Sequence, residues 1–477
     1  MPALITGLLL GLAVLLHGAW EPEFRTAFFL AAMPALAAWV SAGLLRGAPR
    51  LPRPAVAAWL CALALLGGLS ALASPLPAAA FPAWRSQILG LVAFAMGSLL
   101  RAEERLDADR ALRLCAWGLL ILGFVVPWSS GRVPRPGAAL GNENILAGMI
   151  LLLLPSALIG RDWILTAGLG WLLVWTGSAG AWLGVAVAAA IAVREKAAGR
   201  WLLPAAVLAF AAVFAFKFSL YGASGPEKLG DRLRWWEAAW RLARERPWLG
   251  FGPGSYAFAA ASDAGWAGIW KSRFAHQGFL EAAVENGFPF AALLFGGLFA
   301  RLRRPVSGAP WWRRLGAWAV LIESLVDYPL SIPAGFWLFC YLAGAADAVP
   351  AAKIEIPGIW RRPAAAAVLG LAVLACLPAL DRLRADRLRE RAAAVLHEAG
   401  GPARALELLR RSAELADDPE TERDMALIVL SGLRDKRAGG LRAGAVYLAR
   451  AAKLDPFRRS TKTMLANVER DLGGAGR

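Results

Sequence analysis

The stretch Ala364-Ala-Ala-Ala-Val-Leu-Gly-Leu-Ala-Val-Leu-Ala-Cys-Leu-Pro-Ala-Leu380 decides the fold class of this chain. None of its residues is charged, whereas Asp381, the next residue, opens a segment rich in Arg, Asp and Glu. At about 1.5 Å per residue, an apolar helix of this length covers most of the ~30 Å hydrocarbon layer of a bilayer. The stretch therefore predicts a membrane helix that is followed by a polar tail.

Similar apolar runs occupy most of the chain before this point. The 477 residues are 58% hydrophobic and have a mean hydropathy of +0.49, far above a soluble globular mixture. The runs lack the alternating pattern of barrel strands, so we expect helices. The predicted spans begin near residues 2, 26, 55, 84, 112, 145, 163, 179, 201, 278, 315, 331 and 364. Residues 1–380 are thus predicted to form an all-α, polytopic membrane domain of about 12–13 transmembrane helices.

Lys and Arg in the short loops predict the orientation, because basic residues resist translocation. With a cytoplasmic N-terminus, one side receives Arg46, Arg50, Arg53, Arg101, Arg105, Arg110, Arg113, Arg161, Arg194, Lys196, Arg200, Arg301, Arg303, Arg304, Arg313, Arg314, Arg361 and Arg362. The polar loop 218–277 is then expected on the outer side.

The cysteines and the net charge exclude several function classes. The four cysteines lie within apolar runs, at spacings that suit neither a metal site nor a disulfide framework. The formal charge of +17 comes from the cytoplasmic loops and an Arg-rich tail, so we predict no nucleic-acid partner. No metal site and no cofactor are predicted.

The outer loop carries more basic than acidic residues. Because translocated loops are normally poor in Lys and Arg, an anionic ligand would explain the excess. Residues 231–246 are predicted to form a helix that lies in the membrane interface with its arginines exposed. Pro247 ends that helix, and Gly250, Gly252 and Gly254 would allow backbone amides to approach a phosphate, although this pattern alone is weak evidence.

His276 stands immediately before the next apolar run. An imidazole with an ordinary pKa of ~6.5 can act as a general base, which is typically worth ~10²- to 10⁴-fold in rate. An interfacial histidine is also compatible with a simple anchoring role. Glu281 and Glu285, which follow it, are predicted either to orient it or to cap the helix start.

Two further acids, Glu323 and Asp327, lie in apolar surroundings four residues apart, and therefore on one helix face. Intramembrane acids usually face a cavity or a partner. They are expected to line an acceptor or sugar pocket, to pair with a loop arginine, or to mark a helix end at the interface.

Three motifs follow one another in the outer half of the chain: Arg232-x3-Trp236, Pro247-x2-Gly-x-Gly-x-Gly254 and His276-Gln-x2-Leu280-x4-Glu285-x-Gly287. With Gly141-Asn-x-Asn144-x2-Ala147 upstream, they resemble the O-antigen ligase and polymerase superfamily over roughly residues 130–345. Members of that family are membrane glycosyltransferases of the GT-C type. They use an undecaprenyl diphosphate-linked glycan at the outer face of the bacterial inner membrane, so the resemblance implies a periplasmic loop 218–277.

The resemblance implies that Arg232 holds the donor diphosphate and that His276 deprotonates the acceptor hydroxyl, without a metal. A planar guanidinium suits a leaving group that gains negative charge. The predicted donor-binding residues are Arg232, Arg234, Lys217, Arg273, Gly252 and Gly254. The predicted acceptor or sugar pocket consists of Asn144, Glu323, Asp327, Glu285 and Trp236.

One departure from the family pattern concerns a second arginine. Many members read Gly-Ser-Arg-Gly, whereas this chain reads Thr176-Gly-Ser-Ala179-Gly180. Either another cation (Lys217, Arg273 or Arg132) substitutes, or the donor is held differently, or activity has been lost. The family Asn after the histidine is Gln277 here, which keeps the donors and acceptors of an amide.

Residues 381–477 are predicted to form a small soluble helical tail. Ala413-Glu-Leu-Ala-Asp-Asp-Pro419 and Ala452-Lys-Leu-Asp-Pro456 resemble one another at a separation near the ~34-residue tetratricopeptide period. A plain helical hairpin is the alternative, because fewer than three repeats are visible. Either form could dock a protein partner.

Taken together, these features predict transfer of an oligo- or polysaccharide from undecaprenyl diphosphate to an acceptor hydroxyl, in contact with membrane lipids. The acceptor stays open between a glycan, a lipid and a protein. Two other classes also remain: a transporter of lipid-linked glycans, for which no inverted repeat is visible, and an inactive scaffold that docks partners through its tail.

Overall fold

The computed structural model describes residues 2–47, 49–129, 134–136, 140–195, 224–262, 272–303, 311–346, 352–353, 356–398, 400–431 and 438–475, with a few positions between 204 and 215. The membrane-side helices are α1 (Pro2–Leu15), α2 (Pro22–Leu45), α3 (Pro54–Leu72), α4 (Pro77–Ser98), α5 (Ala102–Val125), α6 (Glu143–Ile159), α7 (Trp163–Thr176) and α8 (Ala179–Arg194). Next come α9 (Ser224–Glu245), α10 (Tyr256–Ser262), α11 (Gly278–Leu302), α12 (Trp312–Glu323), α13 (Pro333–Ala346) and α14 (Gly358–Val395). The tail contains α15 (Gly401–Leu415), α16 (Pro419–Ser431), α17 (Ala438–Leu454) and α18 (Arg459–Ala475).

Short irregular elements connect these helices. Single 3-10 turns cover His17–Ala19 and Pro329–Ser331. In the described residues, strand β1 (Arg50–Leu51) pairs antiparallel with β4 (Ala352–Lys353), and β2 (Pro127–Ser129) pairs with β3 (Pro134–Pro136).

The apolar runs form helices, which confirms the predicted all-α membrane fold with a helical tail. Twelve of the thirteen predicted starts lie in or next to described helices, and the run near residue 201 lies mostly outside the described residues. Four helices, α2, α3, α11 and α14, are long and apolar enough to cross a membrane. Apolar side chains on α7 and α14 are exposed, as with Ile164 at 77% and Leu371 at 66%, which suits contact with lipid. The number of crossings stays a prediction.

The basic loops meet at one end of the helical bundle. Arg50 donates to both carboxylate oxygens of Glu104 at 3.0 Å, beside the β1–β4 pair. Arg314 pairs with Glu195 at 2.7 Å between the ends of α8 and α11. Because α12 runs away from this end and α11 runs toward it, Glu323 and Gly278 lie at the opposite end.

The outer loop has a small core of its own. Helix α9, which includes the predicted helix 231–246, packs with α10 on the first turns of α11. The buried residues of this loop core are Ala238, Ala239, Leu242, Ala243, Phe251, Tyr256, Ala259, Ala260, Ala275, Ala283, Val284 and Ala291. The loop is therefore a packed unit on the end of the bundle.

The tail continues directly from the last apolar helix. Helix α14 passes without a break through residue 380, where the composition changes, and α15 to α18 each pack against the helix before them. Asp418, before α16, accepts hydrogen bonds from Arg382 and Thr421. Burial alone would raise the pKa of Asp418, but Arg382, Arg389 and the Thr421 hydrogen bonds outweigh it and lower that pKa. The domain boundary and the tetratricopeptide assignment stay predictions.

Candidate active site

A buried carboxylate joins the loop histidine to an arginine. His276 Nδ1 lies 3.1 Å from Asp327 Oδ1, and Arg232 Nη2 donates to Asp327 Oδ2 at 3.0 Å. Arg232 Nη1 also donates to the carbonyl of Val326 at 3.0 Å. The Asp327 side chain is 1% exposed, whereas those of His276 and Arg232 are 14% and 29% exposed. Two outer-loop groups thus converge on one acid of the helical bundle.

The turn after α12 places this acid. The amide of Asp327 donates to the carbonyl of Glu323 at 2.8 Å, and the amide of Tyr328 donates to Asp327 Oδ1 at 3.1 Å. Gly278 at the start of α11 donates to the carbonyl of Ser324 at 2.6 Å. Pro329 follows, and its ring lacks the N–H that another helical turn would need. The same turn therefore fixes both the acid and the helix that begins after His276.

The backbone of His276 is in the left-handed region, with φ +51°. For a residue other than glycine such a conformation costs on the order of 1–3 kcal/mol, and it persists where the surroundings enforce it. Trp236 Nε1 donates to the carbonyl of His276 at 3.1 Å. The ring of Trp235 stacks on the imidazole at 4.6 Å, and the ring of Tyr328 meets it edge-on at 4.5 Å. The imidazole is therefore held in one orientation.

This arrangement suits a general base. A carboxylate beside Nδ1 accepts a hydrogen bond, which assigns the proton of the neutral imidazole to Nδ1 and leaves Nε2 as the basic atom. In the described part of the chain, Nε2 makes no hydrogen bond. Asp327 also stabilises the imidazolium that forms when Nε2 takes a proton.

A comparison with known families matches one part of the chain. Residues 164–295 match the family described as O-antigen ligase. Over these residues the chain is similar to the O-antigen ligase superfamily. The resemblance seen in the motifs is confirmed there, whereas a search of curated proteins found no match.

The ligase match covers only part of the site. Arg232 and His276 lie inside the matched range, whereas Asp327 follows it by about 30 residues of sequence and Asn144 precedes it. The acid that connects the two matched residues thus comes from outside the range, through the packing of α12 on the bundle.

The other predicted donor-binding cations are not joined to Asp327. Arg234 is 63% exposed, and its Nη1 lies 4.0 Å from Asp231 in the preceding turn. Arg273 is exposed three residues before His276, where it lines a cavity. Lys217 lies outside the described residues, as does Arg132. Of the three cations predicted to replace the missing family arginine, Arg273 is the one that the structure describes.

The glycines of the outer loop pack closely on the chain itself. Gly252 has φ +105°, its amide donates to the carbonyl of Glu285 at 2.8 Å, and an added Cβ would lie 2.2 Å from Ser74 Oγ. Gly254 has φ +71°, and its amide bonds to the Glu285 carboxylate. Both amides therefore already donate hydrogen bonds to Glu285 and are not available to a phosphate.

Apart from the two acids Glu323 and Asp327, the predicted acceptor-pocket residues divide into two groups. Two of them fix the backbone of the outer loop. Trp236 donates a hydrogen bond to the carbonyl of His276, and the Glu285 carboxylate also accepts a hydrogen bond from the amide of Tyr256 at 3.3 Å. Asn144 lies in the first turn of α6, where its amide donates to the capping side chain of Asn142 at 2.8 Å. Within the described residues no hydrogen bond joins Asn144 to His276.

The departure at Ala179 falls beside the acidic turn. Ala179 is the first residue of α8, and a Cβ on its neighbour Gly180 would lie 3.6 Å from Glu323 Cγ and 3.8 Å from Asp327 Cβ. Glu323 itself is fully buried. The position of the missing family arginine is therefore next in sequence to a residue that approaches both acids.

Sequence reasoning found His276 and Arg232 but not how they are joined. Among the alternatives for Asp327, pairing with a loop arginine is the one observed. Its second role, as hydrogen-bond partner of His276, had no sequence signal, because the two residues are 51 positions apart. The left-handed backbone of His276 was equally invisible, since the residue is not a glycine.

Proposed function

We propose that this protein transfers an oligo- or polysaccharide from undecaprenyl diphosphate to an acceptor hydroxyl at the outer face of the bacterial inner membrane. The observation that carries the proposal is the shared carboxylate, which engages His276 through Nδ1 and Arg232 through Nη2. The proposed base, His276, and the proposed cation for the leaving group, Arg232, thus contact the same carboxylate.

In the proposed reaction, His276 Nε2 removes the proton of the acceptor hydroxyl as its oxygen attacks the anomeric carbon. A new C–O bond forms, the bond from the anomeric carbon to the diphosphate oxygen breaks, and the diphosphate leaves with the electron pair. Asp327 stabilises the imidazolium produced in this step.

Arg232 has the donors to meet that leaving group. A guanidinium carries five N–H donors, and among the described residues Arg232 uses two of them, on Val326 and Asp327. Its partial exposure leaves the others accessible to a phosphate. Because Asp327 offsets much of its charge, a second cation is needed to neutralise a diphosphate, and Arg273 is the described candidate.

The test is transfer from purified undecaprenyl diphosphate glycan by wild type, His276→Ala and Arg232→Ala at equal membrane levels. We expect a loss of ~10²- to 10⁴-fold for His276→Ala and ~10²- to 10³-fold for Arg232→Ala. Arg244→Ala is the matched control, because Arg244 is exposed on the same helix as Arg232. Normal transfer by both site variants would refute the mechanism, whereas absence of transfer in wild type would favour a carrier or an inactive scaffold.

A further inference from the structure

A cavity of about 640 Å³ lies beside the active site, which is the size of many ligand pockets. Three parts of the chain form its walls. The bundle contributes Trp20 and Gln87, the start of α11 contributes Glu281 and Asn286, and the tail contributes the turn Asp455–Arg458. The cavity is thus complete only when the tail is in place.

The tail turn is seated on the outer loop. The ring of Phe457 meets the ring of Phe251 edge-on at 5.9 Å and packs against the buried core of the loop. Asp455, which is 3% exposed, accepts a hydrogen bond from the amide of Phe457 at 3.1 Å. Arg458 pairs with Glu420 at the start of α16, so a second tail helix supports the turn.

The cavity shares a wall with the proposed base. Phe274 lines it and stacks on Tyr328 at 4.3 Å, and Tyr328 in turn meets the His276 ring at 4.5 Å. Gly278, two residues after His276, also lines it. Along this path two aromatic rings, those of Phe274 and Tyr328, lie between the cavity and the imidazole.

A buried amide in the cavity wall has no partner within the described chain. Asn286 is 1% exposed, and neither its Nδ2 nor its Oδ1 makes a hydrogen bond with the described residues. The Oε1 of Gln87, another lining residue, is also buried without a hydrogen bond there. Because buried polar groups are normally hydrogen-bonded, these amides indicate that the cavity receives a polar molecule.

We propose that this cavity binds the acceptor glycan and that the tail turn Asp455–Arg458 is a wall that determines acceptor specificity. The inference rests on the proposed function and adds the class of acceptor to it. Aromatic rings of Trp20, Phe274 and Phe457 can pack on the apolar faces of sugar rings. The carboxylates and amides in the walls supply acceptors and donors for hydroxyl groups. An acyl chain would leave all of these polar groups unpaired.

The test measures binding in the His276→Ala background, so that its result does not depend on transfer. The probe is the free glycan repeat, released from the undecaprenyl diphosphate donor and labelled with a fluorophore. We expect saturable binding, weakened about tenfold by Asn286→Ala and by Phe457→Ala, with the donor affinity unchanged. Phe457→Tyr keeps a ring on Phe251 and should bind like the parent, which separates loss of the wall from loss of folding.

Asn467→Ala is the matched control for the amide, because Asn467 is exposed on α18. Equal binding by Asn286→Ala, Phe457→Ala and the parent would overturn the inference. Binding of a labelled serine peptide or of a lipid in place of the glycan would overturn the choice of acceptor. If glycan binding is present but transfer is absent in wild type, the cavity assignment stands and the proposed function fails.

Discussion

Two arginine–carboxylate pairs lie at opposite ends of the helical bundle, and they differ in how completely the protein uses the guanidinium. Arg314 is bidentate on Glu195, with Nη1 at 2.7 Å and Nη2 at 3.0 Å, and its Nε donates to the carbonyl of Leu302 at 3.0 Å. It is 8% exposed. Arg232 makes two hydrogen bonds to the part of the chain that the structure describes, shares its carboxylate with His276 and is 29% exposed.

Under the proposed function, the Arg314 pair is structural and the Arg232 pair acts on the donor. A buried arginine whose donors meet protein acceptors holds helix ends together and has little left to offer a ligand. An arginine with free donors beside a shared carboxylate keeps binding capacity, at some expense in stability. The Arg314–Glu195 pair and the Arg232–Asp327 pair should therefore respond in opposite ways to substitution.

The largest effect is expected from Asp327→Asn. The amide keeps the shape of the side chain but removes the charge that orients His276, stabilises its imidazolium and holds Arg232. We expect transfer to fall by ~10²- to 10⁴-fold while the protein stays folded. Turnover per folded molecule in detergent, with Glu237→Gln as an exposed control on α9, checks this. Activity near that of wild type would show that the shared carboxylate is not part of the mechanism.

The next largest effect concerns Arg314→Ala. Removing this arginine leaves Glu195 without its partner, and we expect the free energy of unfolding to fall by about 3 kcal/mol, the lower part of the range for a broken buried pair. Transfer per folded molecule should not change. Denaturant unfolding followed by tryptophan fluorescence measures the first quantity, and Arg303→Ala, at an exposed neighbour, is the control. A stability loss in Arg232→Ala as large as that in Arg314→Ala would erase the distinction between the two pairs.

The smallest effect should come from the backbone of His276. Glycine adopts a positive φ without strain, so His276→Gly should be more stable than His276→Ala by on the order of 1 kcal/mol, although neither variant transfers glycan. Unfolding of the two variants side by side tests this. If His276→Ala were the more stable, the left-handed backbone would not be a strained feature of the site.

Much of the fold could be predicted from the sequence because the lipid environment leaves few choices. A run such as Ala364–Leu380 contains enough apolar residues for a helix in a bilayer, and there the backbone must satisfy its own hydrogen bonds. The helix over residues 231–246 was also predictable, since its apolar residues recur at helical spacing. Motif order then identified His276 and Arg232.

The rest depended on which helix ends meet, and no local pattern carries that information. In the sequence, Asp327 is one of several acids near a helix end, and only the packing of α12 places it beside His276. The sequence pattern of Gly252 and Gly254 predicted a phosphate-binding loop, but the amides of both residues donate hydrogen bonds to Glu285 of α11. The tail looked like a separate docking module, yet Phe457 rests on Phe251 and closes a cavity of the membrane domain.

The sequence by itself determined the fold class, the ligase-family motifs, and the identities of a candidate base and a candidate cation. These follow from residue chemistry and from spacing along one chain segment, which hydrophobicity and helix geometry govern. The tertiary structure alone decided that one buried acid serves both groups, that one arginine pair is saturated and the other is not, and that the tail completes a pocket. Those features arise from contacts between segments distant in sequence, whose relative placement is set by the packing of the whole helical bundle.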